Sequence, residues 1–181
     1  GAVDALNKSQ EISLFLVGQE EVINKELEQY TYPKERLTVV PASEVIEMAE
    51  PPVMAIRKKK DSSIVKAMYM VKDGTCDAFV SAGSTGAIVV GGTLIVKRIK
   101  GIKRPALGGL IPSPDGHYML LDMGANAECR PEMLAQFGIM ASVYLEKVEG
   151  IENPKIGLLN IGVEDTKGDE LRTEAYKLLQ E

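Results

Sequence analysis

The sequence predicts an α/β protein in which helices cover both faces of a mostly parallel sheet, a three-layer α/β/α arrangement built as a single domain over residues 1–181. Three observations carry this expectation. Short apolar runs that fit strands alternate with longer segments whose apolar residues recur at helical spacing. The 181 residues suffice for one buried core. The composition, 45% hydrophobic and 26% charged, is that of an ordinary folded chain and excludes disorder as a main theme.

Gly1–Leu6 reads as the tail of a helix. Ile12–Val17 is an apolar run closed by Gly18 and predicts a strand, after which Val22, Ile23 and Leu27 recur at helical spacing. Leu37–Val40 predicts a second strand; Pro41 and the Pro51-Pro52 pair keep the next segment irregular or briefly helical. Asp61-Ser62-Ser63 offers N-cap residues to a helix through Ile64, Val65, Met68 and Val71, ended at Gly74. Asp77–Val80 predicts a buried strand running into the turn Ser81–Gly86 and then an apolar helix, Ala87–Lys97. Pro105–Leu110 and Tyr118–Asp122 predict a hairpin through Pro112–Gly116. Pro131–Val148 predicts a long helix with proline in its first turn. Lys155–Ile161 predicts a further strand ended by Gly162, and Asp169–Glu181 opens another helix. The chain begins Gly1-Ala2-Val3 and stops at Glu181 within a helical pattern, so it reads as a fragment of a larger chain.

Charge and motif content narrow the chemistry. A net charge of −5 argues against a surface-wide nucleic-acid footprint, so any anion must be bound locally. Cys76 and Cys129 are isolated and far apart, which fits a reducing compartment and two small buried apolar side chains. The apolar run Ala87–Val96 is too short and glycine-rich to span a bilayer, and no signal peptide is recognisable; the expectation is a cytoplasmic protein. His117 is the only histidine, which leaves neither a histidine-based triad nor a multi-histidine metal site. GxSxG, GxxxxGK[ST] and GxGxxG patterns are absent.

In a parallel α/β sheet, ligands gather where strands end and the next helix presents its N-terminal amides. Three segments qualify. Ser81, Gly83, Ser84, Thr85 and Gly86 combine glycines that admit a ligand to the backbone with hydroxyls that can donate to phosphate. A tight turn with a serine or threonine cap accounts for the same residues. Asp122, Gly124 and Asn126 place a carboxylate and an amide at a strand end, and an Asx turn accounts for them equally well. Asn160, Gly162, Lys167 and Gly168 form the third, where Lys167 can meet an anion as a point charge or remain a solvated loop lysine beside Glu164 and Asp165. Arg57-Lys58-Lys59-Lys60 is the densest basic cluster in an acidic chain; it suits an acidic partner or a solvated face.

Taken in order, Glu44–Met48, Glu50–Val53 with Ala55–Ser63, the Ser81–Ala87 turn, Arg98–Ile102 with Arg104-Pro105-Ala106, Leu121–Asn126 and Leu158–Gly162 resemble the PlsX-type phosphate acyltransferases of bacterial phospholipid synthesis. The resemblance implies transfer of a fatty acyl group from acyl carrier protein to inorganic phosphate. It also implies an isocitrate/isopropylmalate dehydrogenase-like fold, a homodimer, no cofactor or metal, and peripheral membrane association through a part not present in this sequence. The family's AVDAMGGD turn is only echoed by Val3-Asp4-Ala5, its TDGFxGN segment is missing, and Ser84 stands where the family usually has asparagine.

Phosphate attacking a thioester needs no protein nucleophile, so donors that orient phosphate and stabilise the developing oxyanion matter more than a base. The expectation is that Ser81, Gly83, Ser84, Thr85 and Gly86 cradle phosphate and that Lys167 is catalytic. Asp122, Gly124, Asn126 and Asn160 would form the polar wall, and Arg57, Lys58, Lys59 and Lys60 would receive acyl carrier protein. Rival readings are a phosphotransacetylase-like enzyme using acyl-coenzyme A, a nucleotide-dependent dehydrogenase on the related fold, and a non-catalytic anion-binding module.

Overall fold

A computed structural model of the chain describes residues 1–114, 116–164 and 167–180. Contacts gather into two compact units, Gly1–Lys97 and Arg98–Glu181.

In the first unit, α1 (Ala2–Lys8) buries Val3 and Leu6. β1 (Leu14–Gly18) and β2 (Leu37–Pro41) pair in parallel, Leu14 opposite Leu37, with α2 (Glu20–Leu27) as the crossover. The Arg36 guanidinium, just ahead of β2, donates to the carbonyls of Ser9 at 2.7 Å, Leu6 at 2.9 Å and Ile12 at 3.1 Å. One planar fork thus ties the end of α1 to the entry of both strands. The predicted β1–α2–β2 order holds to within two residues.

α3 (Pro52–Lys58) starts on a proline, whose fixed φ suits the first helical turn. α4 (Ser63–Lys72) buries Ile64, Val65, Ala67 and Met68, one face of a 3.6-residue period. Ser62 is its N-cap by position, yet the hydroxyl donates back to the Lys59 carbonyl at 2.8 Å instead of capping. α5 (Thr85–Gly91) is followed by a π-helical turn, Gly92–Val96, which ends where Lys97 takes a φ of 77°. The core gathers Ile46, Ile56, Val65, Met68, Ala87 and Ile95.

In the second unit, β3 (Gly108–Ser113) and β4 (Gly116–Leu121) form the expected antiparallel hairpin, Gly108 opposite Leu121 and Ser113 opposite Gly116. Asp115 of its turn lies outside the described residues. α6 (Pro131–Lys147) begins on the predicted proline, packs on β4, and buries Phe137. α7 (Glu170–Gln180) packs along α6 and buries Ala175. Gly138 permits that approach, since a Cβ there would lie 3.0 Å from Leu179 and 3.2 Å from Ile156.

Two strand expectations are corrected. Asp77–Val80 and Lys155–Ile161 are irregular, not strands. Phe79 touches the core cluster, but Val80 is 94% exposed and Ile161 85%. An apolar run becomes a strand only by hydrogen-bonding to a neighbour, and among the described residues neither segment pairs with one. Among the described residues the architecture is therefore mixed α/β, with one parallel and one antiparallel strand pair.

Candidate functional site

The Ser81–Gly86 turn belongs to the first unit. The Ser81 hydroxyl accepts from the Gly83 amide at 3.1 Å. Ser84 is the N-cap of α5, and its hydroxyl accepts from the Ala87 amide at 3.3 Å. The capping role is thus realised at Ser84, which is 5% exposed. Ser81 and Thr85 are exposed. Gly86 is required by packing: a Cβ would sit 2.7 Å from the Pro52 ring.

The other predicted polar groups lie in the second unit, in two separate loops. The Asp122 carboxylate accepts from the amides of Leu107 at 2.7 Å, Asn126 at 2.8 Å and Ala125 at 3.2 Å, and from the Asn126 side chain at 2.9 Å. Asn126 also donates to the Pro105 carbonyl at 2.9 Å. Partial burial works to raise the Asp122 pKa, but the Asn126 and backbone donors together outweigh it and hold the carboxyl below its ordinary value. Asp122 and Asn126 are therefore brought together and clamp residues 105–107 against the turn around Gly124, which takes a φ of 97°.

Asn160 organises the second loop. Its amide donates to the Lys167 carbonyl at 2.9 Å and its side-chain oxygen accepts from the Ile161 amide at 2.9 Å. Gly168, at φ 96°, lies so close that a Cβ would run into the Asn160 side-chain oxygen. Lys167 is exposed, and its amide donates to the Glu164 carbonyl at 2.9 Å. Asp165 and Thr166 of the same loop lie outside the described residues.

The basic run divides into two pairs. Lys59 bonds the Glu50 carboxylate and donates to the Val45 carbonyl, while Lys60 donates to the Ile56 carbonyl at 3.2 Å. Both lysines thereby fix local backbone. Arg57 and Lys58 are exposed on the last turn of α3.

Three features escaped the sequence reading. Asp61 is a hub: it bonds Lys66 and accepts from the Ser43 amide at 2.8 Å and hydroxyl at 2.6 Å, which depresses its carboxyl well below the usual range. Arg36 is the second, described above. The third is a cavity of about 300 Å³ between the hairpin and α6, lined by Gly108, Leu110, Met119 and Leu121 and by Ala141 and Tyr144. Burial raises both thiols, aided at Cys76 by Asp77 and Asp73 and at Cys129 by Asp122, so neither side chain, partly buried as it is, is poised as a thiolate nucleophile. Among the described residues no group of three or more His, Cys, Asp or Glu is arranged to hold a metal, and no helix is long and apolar enough to cross a membrane.

A sequence-family model described as "Fatty acid synthesis protein" matches residues 1–181. The chain is 55% identical over 181 residues to a phosphate acyltransferase of Clostridium beijerinckii, covering 100% of this chain and 54% of that protein. Identity is 51% over 180 residues to the Clostridium tetani phosphate acyltransferase, and 50% over 181 residues to that of Clostridium botulinum, covering 99% and 100% of this chain and 54% of each relative. The chain thus spans about half the length of the curated relatives it matches. The resemblance to PlsX-type phosphate acyltransferases is borne out, and with its whole length matched, this chain belongs to the fatty acid synthesis protein family.

Proposed function

We propose that the protein carrying this chain is a phosphate acyltransferase that moves a fatty acyl group from acyl carrier protein to inorganic phosphate, giving acyl-phosphate for phospholipid synthesis. One observation carries the reading: about half of all positions, spread over the whole chain, are identical to proteins named phosphate acyltransferase. A phosphate oxygen attacks the thioester carbonyl carbon, the carbon–sulfur bond breaks, and the carrier thiol leaves with the phosphate's proton. The raised thiols of Cys76 and Cys129 favour this direct attack over an acyl-cysteine intermediate.

In this reading Lys167 supplies a point charge to phosphate or to the thioester oxyanion, on a loop that Asn160 and Gly168 stiffen. The backbone of Ser81, Gly83 and Gly86 and the exposed hydroxyl of Thr85 cradle phosphate, while Ser84 holds the turn through its cap. Asp122, Gly124 and Asn126 shape the polar wall, with Asp122 acting through the loop it clamps. Arg57 and Lys58 meet the acidic carrier protein, while Lys59 and Lys60 hold that patch in place. The two units are parts of one domain whose three-layer, mostly parallel, dehydrogenase-like sheet is completed by the remainder of the protein. A homodimer at the cytoplasmic side of the membrane completes the proposal.

The test is acyl-phosphate formation by the full-length protein from palmitoyl-acyl carrier protein and inorganic phosphate, trapped with hydroxylamine. The expected result is a hydroxamate product from the wild type and a drop of about 10²–10³-fold in kcat for Lys167→Ala, the scale of losing one oxyanion donor. Turnover only with acyl-coenzyme A would move the protein to the phosphotransacetylase-like reading. Near-normal turnover in Lys167→Ala would remove that lysine from the chemistry.

A further inference from the structure

We propose that the cavity between the β3–β4 hairpin and α6 receives the fatty acyl chain, with the chain's reactive end at the Asp122–Asn126 turn; this rests on the acyl-transfer reading above. The cavity floor is one face of the hairpin, where the cross-strand pairs Gly108–Leu121 and Leu110–Met119 point the same way. Its other wall is α6, where the small Ala141 leaves room beside Met140 and Tyr144. The lining side chains are apolar apart from the Tyr144 hydroxyl, and the two methionines can repack around chains of different shape.

The volume of about 300 Å³ falls at the lower end of the ~300–1,000 Å³ usual for small-molecule sites. Glycine keeps the floor low. A Cβ at Gly108 would lie 2.5 Å from the Met119 methyl and would also strike Leu121, so a side chain there would push the lining into the cavity.

Position in the chain selects an amphiphile over a purely apolar or purely polar ligand. Ala106 and Leu121 line the cavity, and the residues that follow them, Leu107 and Asp122, are joined by the 2.7 Å hydrogen bond that anchors the polar turn. The apolar trough therefore runs out directly into that turn. A polar ligand would leave its groups unpaired against Leu and Met. A fatty acyl thioester, with its one polar group at the end of the chain, matches both regions.

The experiment uses the full-length protein and a palmitic acid probe with a diazirine at its terminal carbon. After irradiation, label competed by palmitate is expected on peptides containing 106–110, 119–121 or 140–144; label confined elsewhere overturns the proposal. Independently, Ala141→Phe fills the cavity, and Ala141→Leu does so more mildly if the first variant does not fold. Each methylene kept from burial costs about fourfold in binding, so the kcat/KM ratio for hexadecanoyl over octanoyl carrier should fall at least about tenfold. An unchanged ratio in a variant with the wild-type circular dichroism overturns it. The two readings fail separately. Label in the cavity without acyl-phosphate from any substrate would sink the reaction and keep the chain site, whereas acyl-phosphate with label elsewhere would do the reverse.

Discussion

Asp61 shows how one side chain can set the pH range of a unit. It takes the ammonium of Lys66 and both donors of Ser43, while its own amide donates to Glu44 at 2.9 Å, so it fastens the loop after β2 to the start of α4. These donors favour the charged carboxylate and lower its pKa in the fold. The contribution to stability is thus complete above the unfolded value of about 3.9 and is lost as the pH falls below it. The melting temperature of Asp61→Asn should lie below that of wild type at pH 7, and the gap should narrow on titration from pH 5 to pH 2. A constant gap across that range would mean the carboxylate charge is not what the loop uses. Gly168 poses a different residue-scale question, because strain and contact act together. Alanine there would be strained at φ 96° and would push Asn160 off the Lys167 carbonyl. In the full-length protein, Gly168→Ala and Asn160→Ala should each lower the kcat of the proposed acyl transfer, and the double variant should be no worse than the poorer single one, since both break one hydrogen bond. Additive losses would separate the two positions.

At the scale of elements, close packing decides where glycine is obligatory. Gly86 lies in the first turn of α5, where alanine would gain at most about 1 kcal/mol of helix propensity. A Cβ there would meet the Pro52 ring at 2.7 Å, and a ring on the first residue of α3 cannot rotate away. Overpacking of this kind costs about 1–3 kcal/mol, so Gly86→Ala should destabilise on balance, read as a lower denaturation midpoint at constant m-value. A raised midpoint would mean that α3 and α5 slide apart freely. Elements held by local rules were legible in the sequence: α6 from its proline and period, the hairpin from Pro-Asp-Gly, β1–α2–β2 from alternating runs. Asp77–Val80 and Lys155–Ile161 were not, because an apolar run carries no information about its pairing partner. The site divides the same way. That Ser84 would cap α5 and that Asp122 would close an Asx turn were both readable as alternatives to ligand binding, and the hydrogen bonds show those local roles occupied. The Asp61 hub and the hairpin cavity join residues distant in sequence, which spacing alone does not reveal.

At the scale of the whole molecule, exposed apolar surface is concentrated where strands were expected. Leu159, Ile161 and Val163 are 81%, 85% and 99% exposed, although strand-like apolar runs of this kind usually belong to sheets buried on both faces. Apolar side chains scattered singly are ordinary, whereas three within five residues form a patch of the kind that meets another surface. In the proposed three-layer fold, the rest of the protein, about half its length in the relatives, would cover these side chains. In the full-length protein the amides of Leu159 and Ile161 should therefore exchange slowly with deuterium, as core strands do. Replacing both side chains with lysine places unpaired charges between layers, and breaking a buried environment in this way costs about 3–5 kcal/mol. If instead the double variant stays within about 0.5 kcal/mol of wild type, the range of ordinary surface changes, and the amides exchange at once, the segment is a true surface loop. The sheet would then have to be completed without it, and the loop carrying Lys167 would hang from a flexible tether instead of the end of a strand.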